Sequence, residues 1–239
     1  FFYSFFHFAA AMHHVFPRFI LLLHQLVTTS CLTTTYNYFA YGSNMLPETM
    51  TALRDVTPLS SFPAVLYDYE LQFRLRGVPF LEPSAATVDH CLGSQVHGVL
   101  YELSERDFAK VGSTEGVNLS YRWQECHVVP YEDENRQQQQ ESDQYNNIDT
   151  NTITVHEINQ SNRVKAYTLV ALSPTPTSIP PSKSYMGVLI EGGRVWKLDQ
   201  EYQQFLESIP CATNLIVNDG LARFALNFAK ARKQFSSSC

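Results

Sequence analysis

Features typical of nucleic-acid-binding and metal-binding proteins are scarce in this sequence of 239 residues. Its 17 basic residues are outnumbered by 23 acidic ones, and they form no Lys- or Arg-rich patch, which argues against nucleic acid as a partner. The five cysteines include no C-x-x-C pair and no His/Cys cluster at metal-ligand spacing. This pattern makes a structural zinc site improbable and favours reduced thiols in an intracellular setting.

Acidic residues are absent from residues 1–35, which are rich in Phe, His and Thr. Their most apolar run, residues 19–23, is too short to span a bilayer, so we expect no stable membrane insertion. Leaders of this composition resemble targeting segments, and a translated upstream region or a fragment artefact is an equal alternative. The predicted location is therefore cytoplasmic, or organellar if residues 1–35 are a targeting leader.

Residues 36–235 predict one domain of the α+β class, with strands first and helices mostly late. Strands are predicted where apolar and polar residues alternate, or where aromatic and β-branched residues cluster. Helices are predicted where apolar residues recur with a 3.6-residue period after a capping residue. The predicted strands are 69–76, 83–88, 96–103, 121–129 and 163–172, and the predicted helices are 45–53, 104–111, 199–209 and 221–228. Residues 132–162 are polar and Gln-rich, which predicts a mobile insertion in a long hairpin. The prolines of residues 174–181 predict an extended loop that runs up to Tyr185.

The stretch from Tyr38 to Pro47 predicts a strand, a tight loop and a helix start. Gly42 permits a close backbone approach, and Asn44 is a suitable helix N-cap. Free amides at such a helix start would suit a carboxylate or a developing oxyanion. An ordinary strand-to-helix turn is the alternative.

Glu115 is the carboxylate that we single out as a candidate general acid/base, because it lies in a junction between Gly112 and Gly116. The alternative is an exposed turn glutamate. His90 and His97 have no partner at ligand spacing and are interpreted as sheet-edge histidines. Ser43 and Ser104 lack the context of a catalytic triad.

Five ordered stretches resemble the γ-glutamylcyclotransferase family. Tyr38–Asn44 reads Y-F-A-Y-G-S-N, which is similar to the signature of that family. The other four stretches are Gly98–Tyr101, Glu115–Val117 followed by Tyr121, Pro181–Tyr185, and Leu198–Ile209. The likeness covers about residues 36–211 without the polar insertion. One departure lies before Glu115, where the family commonly has L-D-x-x-E-G and this chain has V-G-S-T-E-G.

The resemblance implies a small mixed β-barrel flanked by helices. It also implies cyclisation of γ-glutamyl-amino acids to 5-oxoproline and a free amino acid, with Glu115 as the general acid/base. The implied substrate-binding residues are Tyr38, Phe39, Ala40, Tyr41, Gly42, Ser43, Asn44 and Tyr185. No metal or cofactor is expected, the partner is a small γ-glutamyl substrate, and a homodimer is left open. The alternatives are the same cyclisation on γ-glutamylamines or glutathione, or a catalytically silent γ-glutamyl-binding module.

Overall fold

A computed structural model describes residues 34–131, 162–213, 227 and 229–231 of the chain. Its strands close into a barrel in the order β1-β3-β2-β4-β5. Because β1 pairs in parallel with β5 and the other pairings are antiparallel, the barrel is mixed, which confirms the expected α+β barrel. The strands are β1 Thr35–Ala40, β2 Ser60–Val78, β3 Glu82–Ser104, β4 Tyr121–Pro130 and β5 Val164–Ala171.

Strands β2 and β3 form a long hairpin that carries much of the barrel wall. The prediction of separate strands over 83–88 and 96–103 is wrong, because both segments belong to β3. Register shifts at Tyr67/Tyr69 and between Gln72 and Leu75 let the pair continue through an irregular middle section. The predicted alternation in β2 is confirmed by buried Leu71 and Phe73.

Helix α1, Glu105–Thr114, begins at the predicted cap, where the Ser104 side chain accepts a hydrogen bond from the Asp107 N–H. The prediction that this helix stops at Val111 is wrong, since it continues through Gly112 to Thr114. A Cβ atom on Gly112 would lie only 3.4 Å from the Trp123 indole. The close packing of Trp123 on the helix offsets the roughly 1 kcal/mol that a helical glycine costs relative to alanine.

Helix α2, Lys183–Val195, was not predicted, and the expected extended loop ends at Ser182 and not at Tyr185. The Ser182 side chain accepts a hydrogen bond from the Tyr185 N–H, and this cap places Tyr185 in the first helical turn.

Helix α3, Gln200–Ser208, follows with the predicted Asp199 cap, whose side chain accepts from the Tyr202 N–H. Tyr202 and Leu206 are buried as its apolar pattern predicts, whereas Phe205 is 43% exposed.

The predicted leader, the polar insertion and the helix over 221–228 lie almost entirely outside the described residues. Within the described ranges, no helix combines the length and apolar character needed to cross a membrane. The barrel interior is filled by apolar side chains from every strand, including Phe39, Leu66, Val88, Val128 and Ala166.

Candidate active site

A cleft opens at the barrel end where β1 and β5 finish and β4 begins. The cleft encloses roughly 290 Å³ when the space at its open mouth is included, and its lining is mostly aromatic and polar. The lining residues are Tyr38, Tyr41, Gly42, Ser43, Asn44, Ala86, Glu115, Tyr121, Leu169 and Tyr185. The structure thus brings Glu115 and Tyr185 to the loop that follows β1. Phe39 and Ala40 do not line the cleft but lie buried in the barrel wall.

Asn44 connects the loop to the carboxylate. The prediction that it caps a helix is wrong, because Gly42 precedes the short 3-10 helix Ser43–Met45 and Asn44 is buried within it. The Asn44 Nδ2 donates to the Tyr38 hydroxyl at 2.9 Å and to Glu115 Oε1 at 2.8 Å. Turned inward, the side chain gains partners that an exposed cap would lack.

Glu115 is the C-cap residue of α1 and ends the helix beside the cleft. The Arg54 Nη2 donates to Glu115 Oε1 at 2.6 Å, and the two side chains are only 17% and 15% exposed. Both this bond and the one from Asn44 fall on Oε1. Among the described residues, none donates to Oε2, so that oxygen is available to accept a proton from a ligand.

Arg54 is a site residue that the sequence interpretation missed. It follows the π-helical turn Thr49–Leu53 and donates through Nη1 to the Thr114 carbonyl at 3.2 Å. Its Nε also donates to Asn44 Oδ1 at 3.2 Å. Since a guanidinium only donates and a carboxylate only accepts, these contacts determine which way the Asn44 amide is oriented. A signal was present, because Arg54 is the only Lys or Arg between residues 36 and 73.

Two cleft tyrosines use their O–H groups on the protein itself. Tyr41 donates to the Leu169 carbonyl, and Tyr121 donates to the Ala86 carbonyl at 2.8 Å. Burial raises the pKa of both phenols well above the usual range, so they remain neutral. Their hydroxyls therefore hold the barrel end together.

The other two tyrosines have hydroxyls that accept. The Tyr38 hydroxyl accepts from Asn44 Nδ2, and the Tyr185 hydroxyl accepts from the Ala86 N–H at 3.2 Å. Burial, with a smaller contribution from the Glu115 charge, raises the pKa of both phenols. Each neutral phenol thus keeps its own proton, which it can donate to a ligand. Gly42 makes room for this arrangement, because a Cβ there would lie 3.2 Å from the Tyr185 hydroxyl oxygen.

Trp123 packs against side chains of α1 and β1. Its ring stacks on Phe108 with centroids 4.3 Å apart and meets Tyr38 edge-on at 5.7 Å. Gly112, the position where the resembling pattern has Asp, lies directly against this indole. The departure from the pattern therefore coincides with aromatic packing in place of a carboxylate.

The remaining candidate residues lie away from the cleft lining. His97 is buried, with Nδ1 hydrogen-bonded to the Tyr131 hydroxyl, and His90 meets Tyr69 edge-on. Ser104 serves as the cap of α1. Across the part of the chain that the structure describes, no group of three or more His, Cys, Asp or Glu side chains could hold a metal ion.

The curated proteins to which this chain is similar carry the same description as the family model that matches it. Residues 38–152 match the family model described as gamma-glutamyl cyclotransferase, AIG2-like. The chain is 22% identical over 189 residues to the gamma-glutamyl cyclotransferase aclK of Aspergillus oryzae, covering 73% of this chain and 61% of that protein. It is 35% identical over 101 residues to the gamma-glutamyl cyclotransferase verK of Clonostachys rogersoniana, covering 35% of this chain and 56% of that protein. The chain thus spans about three fifths of the length of these curated relatives.

Among solved structures, the fold is similar to one named gamma-glutamyl cyclotransferase. The TM-score is 0.59 at 20% identity, and the match covers 83% of this chain and 99% of that one. A human protein described as uncharacterized matches with the same TM-score of 0.59 at 21% identity, covering 82% of this chain and 98% of that one. At these identities the likeness establishes the fold.

Proposed function

We propose that this chain, whose residues 38–152 match the gamma-glutamyl cyclotransferase, AIG2-like family model, is an enzyme that releases 5-oxoproline from γ-glutamyl-amino acids. The observation that supports this most directly is the state of Glu115. One carboxylate oxygen is held by Asn44 and Arg54 while the other remains available beside the cleft. Such a carboxylate is oriented and able to accept and return a proton.

The substrate of this reaction already contains both reacting groups. Its α-amine is the nucleophile and its γ-amide carbonyl is the electrophile, so the protein must chiefly hold the bent conformer in which they meet. Effective molarity in such an arrangement can supply roughly 7–11 kcal/mol of the barrier. The loop residues Gly42 and Ser43 and the ring of Tyr185 form the part of the cleft that would hold the glutamyl group.

Glu115 would move the one proton that the reaction requires. As the α-nitrogen attacks the γ-carbonyl carbon, a C–N bond forms and Oε2 accepts the proton that this nitrogen loses. Collapse of the tetrahedral intermediate breaks the bond between the γ-carbon and the amide nitrogen, and Glu115 returns the proton to that nitrogen. The products are 5-oxoproline and the free amine of the leaving group, so atoms and charge balance.

The γ-carbonyl oxygen, on which negative charge develops, needs hydrogen-bond donors. Tyr38 and Tyr185 are suited to this role, because their hydroxyls accept from the protein and keep an O–H for the ligand. Donors that are already in place stabilise a developing negative charge without reorganising during the reaction. Their neutral state at physiological pH follows from their burial.

The direct test is to incubate the purified full chain with γ-glutamyl-alanine, a γ-glutamylamine or glutathione and to measure 5-oxoproline. We expect γ-glutamyl-alanine to be converted, and exclusive conversion of either of the other two would assign the alternative cyclotransferase activity. If none gives product, the domain is a silent γ-glutamyl-binding module or has another function.

The role of Glu115 is tested by Glu115→Gln, which should bind substrate but lower kcat by about 10²–10⁴-fold, the range typical of a lost general acid/base. Glu102→Gln is a matched control, since Glu102 is also half-buried and hydrogen-bonded, to the Ser60 hydroxyl at 3.0 Å, outside the cleft lining. Near wild-type turnover in Glu115→Gln would mean that another base acts.

A further inference from the structure

A carboxylate outside the cleft lining holds the start of helix α2. Glu82 is the first residue of β3, and both of its oxygens accept from the same residue, Ser182. The Ser182 N–H donates to Oε1 at 3.1 Å, and the Ser182 hydroxyl donates to Oε2 at 2.5 Å. Since Ser182 is the buried N-cap residue of α2, Glu82 binds the cap itself.

Ser182 connects this carboxylate to Tyr185. The Ser182 hydroxyl oxygen accepts from the Tyr185 N–H at 3.0 Å while its proton is donated to Glu82. A hydroxyl that donates to a carboxylate is polarised, so its oxygen accepts more strongly. Burial raises the pKa of the Glu82 carboxyl, and the two hydrogen bonds from Ser182 oppose this shift. The carboxylate and the cap therefore stabilise each other.

The first turn of α2 is attached to β3 at a second point. The Tyr185 hydroxyl accepts from the Ala86 N–H at 3.2 Å. Between the two attachments, the Ser84 hydroxyl donates to the Ile179 carbonyl at 2.6 Å. Glu82, Ser84 and Ala86 are alternate residues of one strand. The same short segment of β3 thus holds the approach to α2, its cap and the phenol that enters the cleft.

The Tyr185 phenol has little room to move. It is buried, its ring meets the Phe73 ring edge-on with centroids 6.4 Å apart, and a Cβ on Gly42 would lie 3.2 Å from its hydroxyl oxygen. A shift of the first turn of α2 would carry the hydroxyl away from the Ala86 N–H and redirect its proton. Catalytic groups must be held to within about 0.5 Å of their productive positions, so such a shift would affect turnover.

We propose, on the premise of the proposed function, that Glu82 is a positioning residue that acts through Ser182 and α2 to place the Tyr185 hydroxyl for the developing oxyanion. Glu82 does not line the cleft, so its effect on turnover must pass through Tyr185. Loss of Glu82 and loss of the Tyr185 hydroxyl would then remove the same contribution. The two effects should therefore not add.

The test is a double-mutant cycle measured by 5-oxoproline release from γ-glutamyl-alanine. Glu82→Gln keeps the shape of the side chain but offers one oxygen to two Ser182 donors. We expect kcat to fall about tenfold with little change in KM, because the oxyanion exists only beyond the ground state. Glu82→Ala, which loses both hydrogen bonds, should have a still lower kcat. In the Tyr185→Phe background, Glu82→Gln should lower kcat by less than about twofold.

Glu102→Gln is the matched control. Glu102 also belongs to β3 and accepts from a serine hydroxyl, but that serine, Ser60, belongs to β2 and not to the approach to α2. The kcat of this variant should remain at the wild-type level.

Two kinetic results would overturn the inference and leave the proposed function intact. One is a wild-type kcat in Glu82→Gln. The other is an equal fall in kcat with and without the Tyr185 hydroxyl, because Glu82 would then serve only the stability of the fold.

If no substrate gives 5-oxoproline, the proposed function fails, and exchange of the Ala86 amide proton, followed by NMR, tests the placement of Tyr185 separately. We expect this proton to exchange faster in Glu82→Gln than in Glu102→Gln, because the Tyr185 hydroxyl that accepts it is displaced. Equal exchange in the two variants would overturn the inference.

Discussion

The ion pair between Arg54 and Glu115 offers the sharpest test of how this site is built. Replacing Arg54 with Met removes the guanidinium but keeps an apolar side chain of similar length. The Glu115 carboxylate then retains one donor, the Asn44 amide, in an environment where it is only 15% exposed. The Thr114 carbonyl loses the Arg54 donor in the same substitution.

The size of the effect follows from these contacts. Hydrogen bonds to charged groups contribute about 1.5–3 kcal/mol each, and breaking a fully buried ion pair costs about 3–5 kcal/mol. Because the pair retains some solvent access, we expect Arg54→Met to lower the free energy of unfolding by about 2–3 kcal/mol. Glu115→Gln removes the charge that needs compensation. The double variant should therefore be more stable than the sum of the single effects by about 1–2 kcal/mol.

A second ion pair in the same chain serves as the control. The Arg194 Nη2 and Glu207 Oε1 are also 2.6 Å apart, but their side chains are 64% and 47% exposed. The corresponding Arg194→Met and Glu207→Gln cycle should give a coupling of only about 0–1 kcal/mol, as exposed pairs do.

Chemical denaturation of the single and double variants at low and high salt measures both couplings, and 5-oxoproline release measures the activity. We expect the Arg54–Glu115 coupling to persist at high salt and Arg54→Met to lower kcat. Additive effects at Arg54 and Glu115, or couplings of equal size in the two pairs, would refute the reasoning that burial gives this pair its strength.

Two further predictions concern buried rings. Tyr185→Phe and Tyr121→Phe should each lower the free energy of unfolding by about 1 kcal/mol, because each substitution removes one hydrogen-bond partner of Ala86. Only Tyr185→Phe should also lower kcat/KM by about 10–100-fold, because only the Tyr185 O–H is available to substrate. 5-Oxoproline assays and denaturant titrations of both variants check this, and equal activity losses would contradict it. Burial lowers the pKa of His97, and the Asp199 charge opposes this only in part, so the unfolded chain binds a proton more readily than the folded one below about pH 6.5. Stability should therefore fall as the pH is lowered from about 7.5 to about 5.5. Over that range the denaturation midpoint of His97→Gln should depend less on pH than that of the wild-type chain. If the two midpoints change with pH at the same slope, His97 does not have this role.

The features that could be predicted from the sequence depend on residues that are only a few positions apart. The caps at Ser104 and Asp199 were predictable because the capping oxygen and the amide that it accepts from are three positions apart. The alternation that buries Leu71 and Phe73 depends only on the two-residue period of a strand. The loop after β1 and Glu115 were likewise recognised from compact motifs.

Other features depended on contacts between distant segments. Helix α2 was missed because its cap at Ser182 follows a run of prolines that indicates an extended loop. The continuation of α1 past Gly112 depends on Trp123, which belongs to β4. At Gly112 the packing of another element outweighed the local propensity.

By itself, the sequence determined which chemical groups are present: a loop with Gly42 and Asn44, a single carboxylate after a helix, and a tyrosine at the end of a proline-rich loop. Only the tertiary structure decided their states. Folding into the closed barrel places Arg54 against Glu115 across 61 positions of the chain. Closure also determines which tyrosine hydroxyls bond to the protein and which retain a proton for substrate, because hydrogen-bond partners depend on distance in space and no local pattern encodes them.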